Sequence, residues 1–216
     1  MTSAPWWASE SFWRKTAIWV TAGSFVILIF LTFDTLAQIT AGSKRVPAYS
    51  VINSRVDYVF NEKRNHQEPV IGVEEPLFGK VLSEQEAEDL VTLGKKTLQA
   101  KNCMNCHTIL GNGAYYAPDL TKSWLDPAWG SKEVREQQMV EFLKDPASRL
   151  HNALGRRMPN LGITDAEARG LVAFLKWMSS IDTNGFPYNF KPIDQSDPVP
   201  AATAAVAPEL AAPAQQ

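Results

Sequence analysis

Cysteine is nearly absent from this chain: among 216 residues there are two, Cys103 and Cys106. A structural zinc site needs about four ligands, and no second cysteine pair exists to supply them. Histidine is also sparse, with His66, His107 and His151 the complete set. An excess of charge of one sign is missing. The formal net charge is −2, so there is no basic field of the kind that holds nucleic acid. The stretch 83–197 is just as nearly balanced, so any docking patch on it is local. There is no internal repeat. The last segment, 198–216, is Ala/Pro-rich with one charge. It lacks the large apolar side chains needed to offset ordering entropy, so a disordered tail is expected there.

Long apolar runs are also missing, with one exception. Residues 17–33 contain no charge. With Thr16 the run makes a helix about 27 Å long, close to the thickness of a hydrocarbon core. Arg14 and Lys15 precede it, and Trp6, Trp7 and Trp13 stand at its entrance, as suits an interfacial belt and a cytoplasmic N-terminus. Lys44 and Arg45 follow on the far side, so positive charge alone leaves the orientation close to a draw. The alternative is a signal peptide cut after Ala37. The run is long for that, and no clean small-x-small site follows. Asp34, at the end of the run, belongs either in the headgroup region or against a partner subunit.

The two cysteines lie in one pattern, Cys103-Met104-Asn105-Cys106-His107. This C-x-x-C-H spacing is the covalent attachment site of a c-type haem. Two thiols separated by two residues span the two haem vinyl groups. The histidine that follows reaches the iron as the proximal ligand. A redox-active C-x-x-C disulfide would not need that histidine. Covalent haem attachment belongs to the outer side of the bacterial membrane. The haem domain is therefore expected in the periplasm, with the chain anchored once in the inner (cytoplasmic) membrane.

The second axial position calls for a methionine sulfur or another nitrogen. Met104 lies inside the attachment loop and cannot reach the opposite face. Met139 and Met178 fall on apolar faces of expected helices, where core packing explains them. Met158 sits in the loop Gly155-Arg156-Arg157-Met158-Pro159-Asn160, and Pro159 restricts it to an extended backbone. Met158 is the expected sixth ligand. His151 is the competing ligand, and His66, in a polar stretch, is expected to be exposed. A thioether trans to histidine leaves no open coordination site, so this haem would relay electrons and not bind substrate. The proximal imidazole needs an acceptor for its other N–H, and the carbonyl of Pro118 or a neighbour is the candidate. Arg156 and Arg157 either pair with haem propionates or form a solvated basic pair.

Four regions are expected: 1–42 with the anchor, 43–82 as a connector, 83–197 as the haem domain, and the tail 198–216. Ser83 with Glu86, and Thr164 with Glu167, read as capping boxes. The first begins a helix with Ala87, Leu90, Val91, Gly94 and Leu98 on one face. The second begins a helix with Leu171, Val172, Phe174, Leu175 and Met178 inward. Between them a helix over 132–144, capped by Ser131 and ended by Pro146, offers Val134, Met139, Val140, Phe142 and Leu143. The connector shows β-like patches at 49–51, 56–60 and 70–73. Its aromatics Tyr58, Phe60 and Phe78 belong on a partner subunit or back on the haem domain.

Together these features resemble the all-α, monohaem class I cytochrome c fold, in which the first and last helices cross at a small residue against an aromatic, here Gly94 and Phe174. A narrower resemblance rests on 107–120 (HTILGNGAYYAPDL) and on Phe174-Leu175-Lys176-Trp177 continuing to Ile181-Asp182-Thr183-Asn184-Gly185-Phe186-Pro187. These stretches are similar to the cytochrome c subunit of bacterial nitric oxide reductase, with Phe186 in place of an expected tryptophan. The resemblance implies one covalent haem c and no catalytic residue in this chain. It implies a large multi-span catalytic partner holding b-type haems and non-haem iron, which reduces nitric oxide to nitrous oxide. It also implies a soluble periplasmic cytochrome c or cupredoxin as electron donor. The haem c subunit of a haem-copper oxidase and a free-standing anchored shuttle are the alternatives. The intact C-x-x-C-H argues against the related quinol-using enzymes, whose similar domain carries no haem.

Overall fold

The computed structural model describes residues 5–43, 45–146 and 156–188. The expected tail at 198–216 and the candidate ligand His151 lie outside them. The first element is helix α1, Glu10–Ile39. Ser9 caps it, its hydroxyl accepting from the Phe12 N–H at 3.3 Å. The apolar run 17–33 is exposed along its whole length. A helix with apolar side chains on every side and none of the described residues packed against them matches a lipid environment. At its far end the Gln38 amide donates to the Asp34 carboxylate at 2.7 Å. One turn of the helix thus supplies a polar partner to the acid at the edge of the apolar run.

The rest of the molecule is built on helices α2 (Glu84–Ala100), α3 (Lys132–Lys144) and α4 (Asp165–Ser179). Both expected capping boxes form. In each, the hydroxyl of the capping residue (Ser83 or Thr164) accepts the backbone N–H of the glutamate three residues on, which returns its carboxylate to the cap N–H. Helices α2 and α4 cross where glycine faces glycine. A Cβ on Gly94 would overlap the Gly170 carbonyl and lie 2.8 Å from the Phe174 Cβ. The sequence pairing of Gly94 with Phe174 therefore had half of the contact, and Gly170 is the other half. Ala87, Val91 and Leu98 of α2 meet Leu171, Phe174 and Leu175 of α4 in one core. On α3, Met139 and Val140 are buried, whereas Val134 is exposed. Val134 packs over the Gly130 turn at the helix entrance, one turn away from the buried face.

The connector contributes an antiparallel hairpin of β1 (Ser54–Asn61) and β2 (His66–Glu74), with Tyr58 opposite Pro69. Strand alternation turns Val56 and Tyr58 into the core and Val59 away from it, while Phe60, on the face of Tyr58 but next to the hairpin tip, and Val73 are exposed. Tyr58 is the anchor: its hydroxyl donates to the Ser179 carbonyl at 2.7 Å. At the base, the Asn53 side chain exchanges two hydrogen bonds with the backbone of Leu82, at 2.7 and 2.9 Å. At the tip, Arg64 bridges Glu68, Asp182 and Asn184. So the inner face of the connector packs on the helical domain. His66 differs from the exposed position expected of it. Its side chain is 14% exposed, because the left-handed Gly185 brings backbone against the imidazole.

Helix α4 is buried on nearly every side from Gly170 to Ser180, including Lys176, which is fully buried. The Lys176 ammonium lies 3.4 Å from the Glu75 carbonyl and 5.1 Å from the Trp124 ring centroid. Burial holds its pKa down to about 8, against the pull of Glu75 and Glu136. Lys122, also buried, sits 4.0 Å above the Tyr58 ring, and burial lowers it to about 8 as well.

Candidate functional site

Helix α2 ends at Ala100, and Asn102 in the left-handed region (φ 58°) turns the chain into a short 3-10 turn, Cys103–Asn105. The backbone N–H groups of Cys106 and His107 both reach the Cys103 carbonyl, at 3.1 and 3.0 Å. The two cysteines are half-buried free thiols. Burial pushes the Cys103 thiol up.

The loop after His107 folds back on this turn. It begins with a small pair of strands, β3 (Thr108–Ile109) and β4 (Asn112–Gly113). Leu110 and Gly111 between them are left-handed (φ 51° and 75°). Gly113 passes so close to the His107 carbonyl that a Cβ would overlap it. The N–H of Ala114 bonds the Met104 carbonyl at 3.0 Å, that of Ala117 the Cys106 carbonyl at 2.8 Å, and that of Leu120 the Thr108 carbonyl at 2.8 Å. This return places the Pro118 carbonyl 2.7 Å from Nδ1 of His107. A carbonyl only accepts, so Nδ1 is the donor, and Nε2 is left available to a metal.

Cys103, Cys106, His107 and Met158 all line one cavity of about 260 Å³. Its walls are apolar: Leu98 from α2, Met139, Phe142 and Leu143 from α3, and Leu171 and Leu175 from α4. Met139, assigned by sequence to the core, serves both core and cavity. Met158 is half-buried and packs against the core edge. Arg156 and Arg157 stand at the exposed margin. The Arg156 guanidinium lies 5.0 Å from the Tyr116 ring centroid and donates to the Tyr116 carbonyl.

The donor set suits a haem. Two thiols and an imidazole come from one turn, a thioether from a distant loop, and the space between them is apolar. A haem iron takes histidine and methionine as axial ligands in electron carriers, and the imidazole already has its outer acceptor. Sequence reasoning missed the group that holds the loop together. The Asp119 carboxylate accepts from the Thr108 hydroxyl at 2.6 Å and from the Thr121 N–H at 2.8 Å. An Asp after a proline is a turn signal, and that was the available clue.

A family model described as Cytochrome c matches residues 91–179. The C-subunit of nitric oxide reductase from Stutzerimonas stutzeri is 34% identical over 116 residues, which is 53% of this chain and 76% of that protein. The C-subunit from Paracoccus denitrificans is 35% identical over 112 residues, 51% of this chain and 73% of that protein. A third, from Cereibacter sphaeroides, is 33% identical over 104 residues, 47% and 68% of the two chains.

Proposed function

Since this chain belongs to the family of nitric oxide reductase C-subunits, we propose that it is the membrane-anchored electron relay of such an enzyme. It takes electrons from a soluble periplasmic cytochrome c or cupredoxin. It delivers them to a b-type haem in a multi-span catalytic partner, where nitric oxide is reduced to nitrous oxide. The single apolar helix α1 anchors it, and the haem domain stands in the periplasm. The observation that carries the reading is the convergence of Cys103, Cys106, His107 and Met158 on one apolar cavity.

Haem c, when bound, supplies a one-electron iron couple. Cys103 and Cys106 would hold it covalently, and His107 and Met158 would bind its iron. Pro118 keeps the imidazole in one orientation through its carbonyl, 2.7 Å from Nδ1. The apolar walls exclude water, which lowers the reorganisation that accompanies a change of charge. With His107 and Met158 both given to the iron, no position would be left for nitric oxide, and this chain would add no catalytic residue. The exposed apolar side chains of the hairpin, Val59, Phe60 and Val73, are the part of the connector left for the catalytic partner.

Two substitutions test this. Met158→Ala in the full-length protein is expected to abolish the sulfur-to-iron charge-transfer band at the red end of the spectrum and to lower the potential. Cys103→Ser or Cys106→Ser is expected to weaken or prevent haem retention on a denaturing gel. An unchanged band in the first would exclude Met158, and normal haem staining in both cysteine variants would exclude covalent attachment. Copurification from membranes of a partner that contains copper and prefers oxygen would replace the nitric oxide reading with an oxidase.

A further inference from the structure

The bond from His107 to Pro118 joins two residues, and the residue after each of them is tied to the other. Thr108 follows His107 and Asp119 follows Pro118. The Thr108 hydroxyl donates to Asp119 Oδ2 at 2.6 Å, and the Leu120 N–H donates to the Thr108 carbonyl at 2.8 Å. Asp119 also accepts from the Thr121 N–H through Oδ1 at 2.8 Å and from the Gly111 N–H at 3.4 Å. On the other side, the Thr121 hydroxyl accepts the Leu110 N–H at 2.7 Å. Thr108 and Thr121 are 1% and 0% exposed and Asp119 is half-buried, so solvent reaches these bonds only from the Asp119 side.

We propose that Asp119, clamped by Thr108 and Thr121, is a positioning residue that fixes the Pro118 carbonyl against Nδ1 of His107 and so sets the redox potential of the haem. The inference rests on the electron-relay reading above and deepens it. Proline contributes no N–H of its own to the loop, so its carbonyl is placed by what its neighbour holds. The carboxylate is suited to that task because it is acceptor-only and can take several N–H and O–H groups at once. Bonds to an ionised acceptor are also short and strong. The tighter the Nδ1–H is held by the carbonyl, the more electron density the imidazole offers the iron. A firm clamp therefore favours the oxidised state, and a loosened one shifts the potential upward.

The test uses the full-length haem-loaded protein in detergent. Thr108→Val removes the hydroxyl with little change of shape and none of charge. Asp119→Asn keeps the shape but turns one acceptor into a donor facing the Gly111 N–H. Two quantities are read: the potential by spectroelectrochemical titration, and the solvent exchange of the His107 Nδ1 proton by NMR. Both variants are expected to raise the potential and speed the exchange, and Thr108→Ser to restore wild-type values. Should valine at 108 prevent haem retention, Thr121→Val is read instead with the same expectation. Wild-type potential and exchange in Thr108→Val would overturn the proposal. So would a potential shift in Asp119→Asn without faster exchange, which marks a pure charge effect. Absence of covalent haem or of the sulfur-to-iron band in the wild type would sink the relay reading itself. That outcome is seen before any variant is made.

Discussion

Replacing Gly94 by alanine probes the crossing on which the haem domain is built. The new Cβ would overlap the Gly170 carbonyl and lie 2.8 Å from the Phe174 Cβ. The first obstacle is helix backbone and cannot rotate away. The reverse change meets the same wall, since a Cβ on Gly170 would lie 2.9 Å from the Gly94 nitrogen. The helices must therefore separate. A gap of about 0.5–1 Å forfeits roughly a quarter to a half of each dispersion contact along the seam, and overpacking of this kind costs about 1–3 kcal/mol and occasionally more. Alanine returns about 1 kcal/mol through helix propensity. Because the obstacle is backbone, the upper end of the cost applies, and a net loss of about 2 kcal/mol is expected. For the helical domain with its packed connector that lowers the midpoint by about 4–8 °C. Thermal unfolding of the haem-loaded protein measures it. Gly23→Ala serves as control, because a Cβ there meets nothing within 4 Å. A Gly94→Ala protein within about 0.5 kcal/mol of wild type, the scatter of ordinary surface changes, would refute the reasoning.

Lys176 gives a pH signature. Its folded pKa of about 8 lies below its ordinary 10.5. Below pH 8 folded and unfolded chains both hold the proton and the burial penalty is fully present. Between pH 8 and 10.5 only the unfolded chain binds it, so stability rises with pH, by about 3 kcal/mol across the window. Denaturant titrations over that range measure the rise, and because Lys122 is lowered by burial to the same value, Lys176→Met is expected to reduce the rise and leave the share of Lys122. Tyr58→Phe leaves the Ser179 carbonyl without its 2.7 Å donor and is expected to cost about 1–2 kcal/mol, with no change in the haem spectrum. A spectral change would mean that the hairpin reaches the haem site. Trp177→Phe removes the indole N–H that holds the Pro47 carbonyl at 3.1 Å. It is expected to speed limited proteolysis between the span and the hairpin, and an unchanged cleavage rate would show that this tie holds nothing.

Periodic and local signals carried most of the fold. Each capping box is a four-residue pattern whose bonds lie within the helix end, so Ser83 and Thr164 were legible directly. The inward faces of α2 and α4 follow from helical spacing. Burial of Lys176 was legible in principle, because Gly170 to Met178 offers almost no polar side, and a helix apolar all round is a buried one. What sequence did not show was partnership across long separations. Tyr58 meets Ser179 from 121 residues away, and Gly170 meets Gly94 only through a crossing that no local pattern encodes. In the site, the C-x-x-C-H pattern and the Met158-Pro159 step carry their chemistry in adjacent residues. The Asp119 clamp was hidden because Thr108, Asp119 and Thr121 come together only after the loop has returned.

The seam between the membrane helix and the first residues of the connector bears on how far the haem can travel. Ile39 closes α1, and Pro47 is already held by Trp177, whose indole also packs on Tyr49 with ring centroids 5.2 Å apart. Seven residues lie between them, about 25 Å at full stretch. They are not at full stretch, because the Gly42 N–H bonds the Val46 carbonyl at 2.9 Å and the Ser43 hydroxyl bonds the Gln38 carbonyl at 2.6 Å. On so short a leash the folded domain cannot swing away from its own helix, and whatever it meets in the membrane must stand beside that helix.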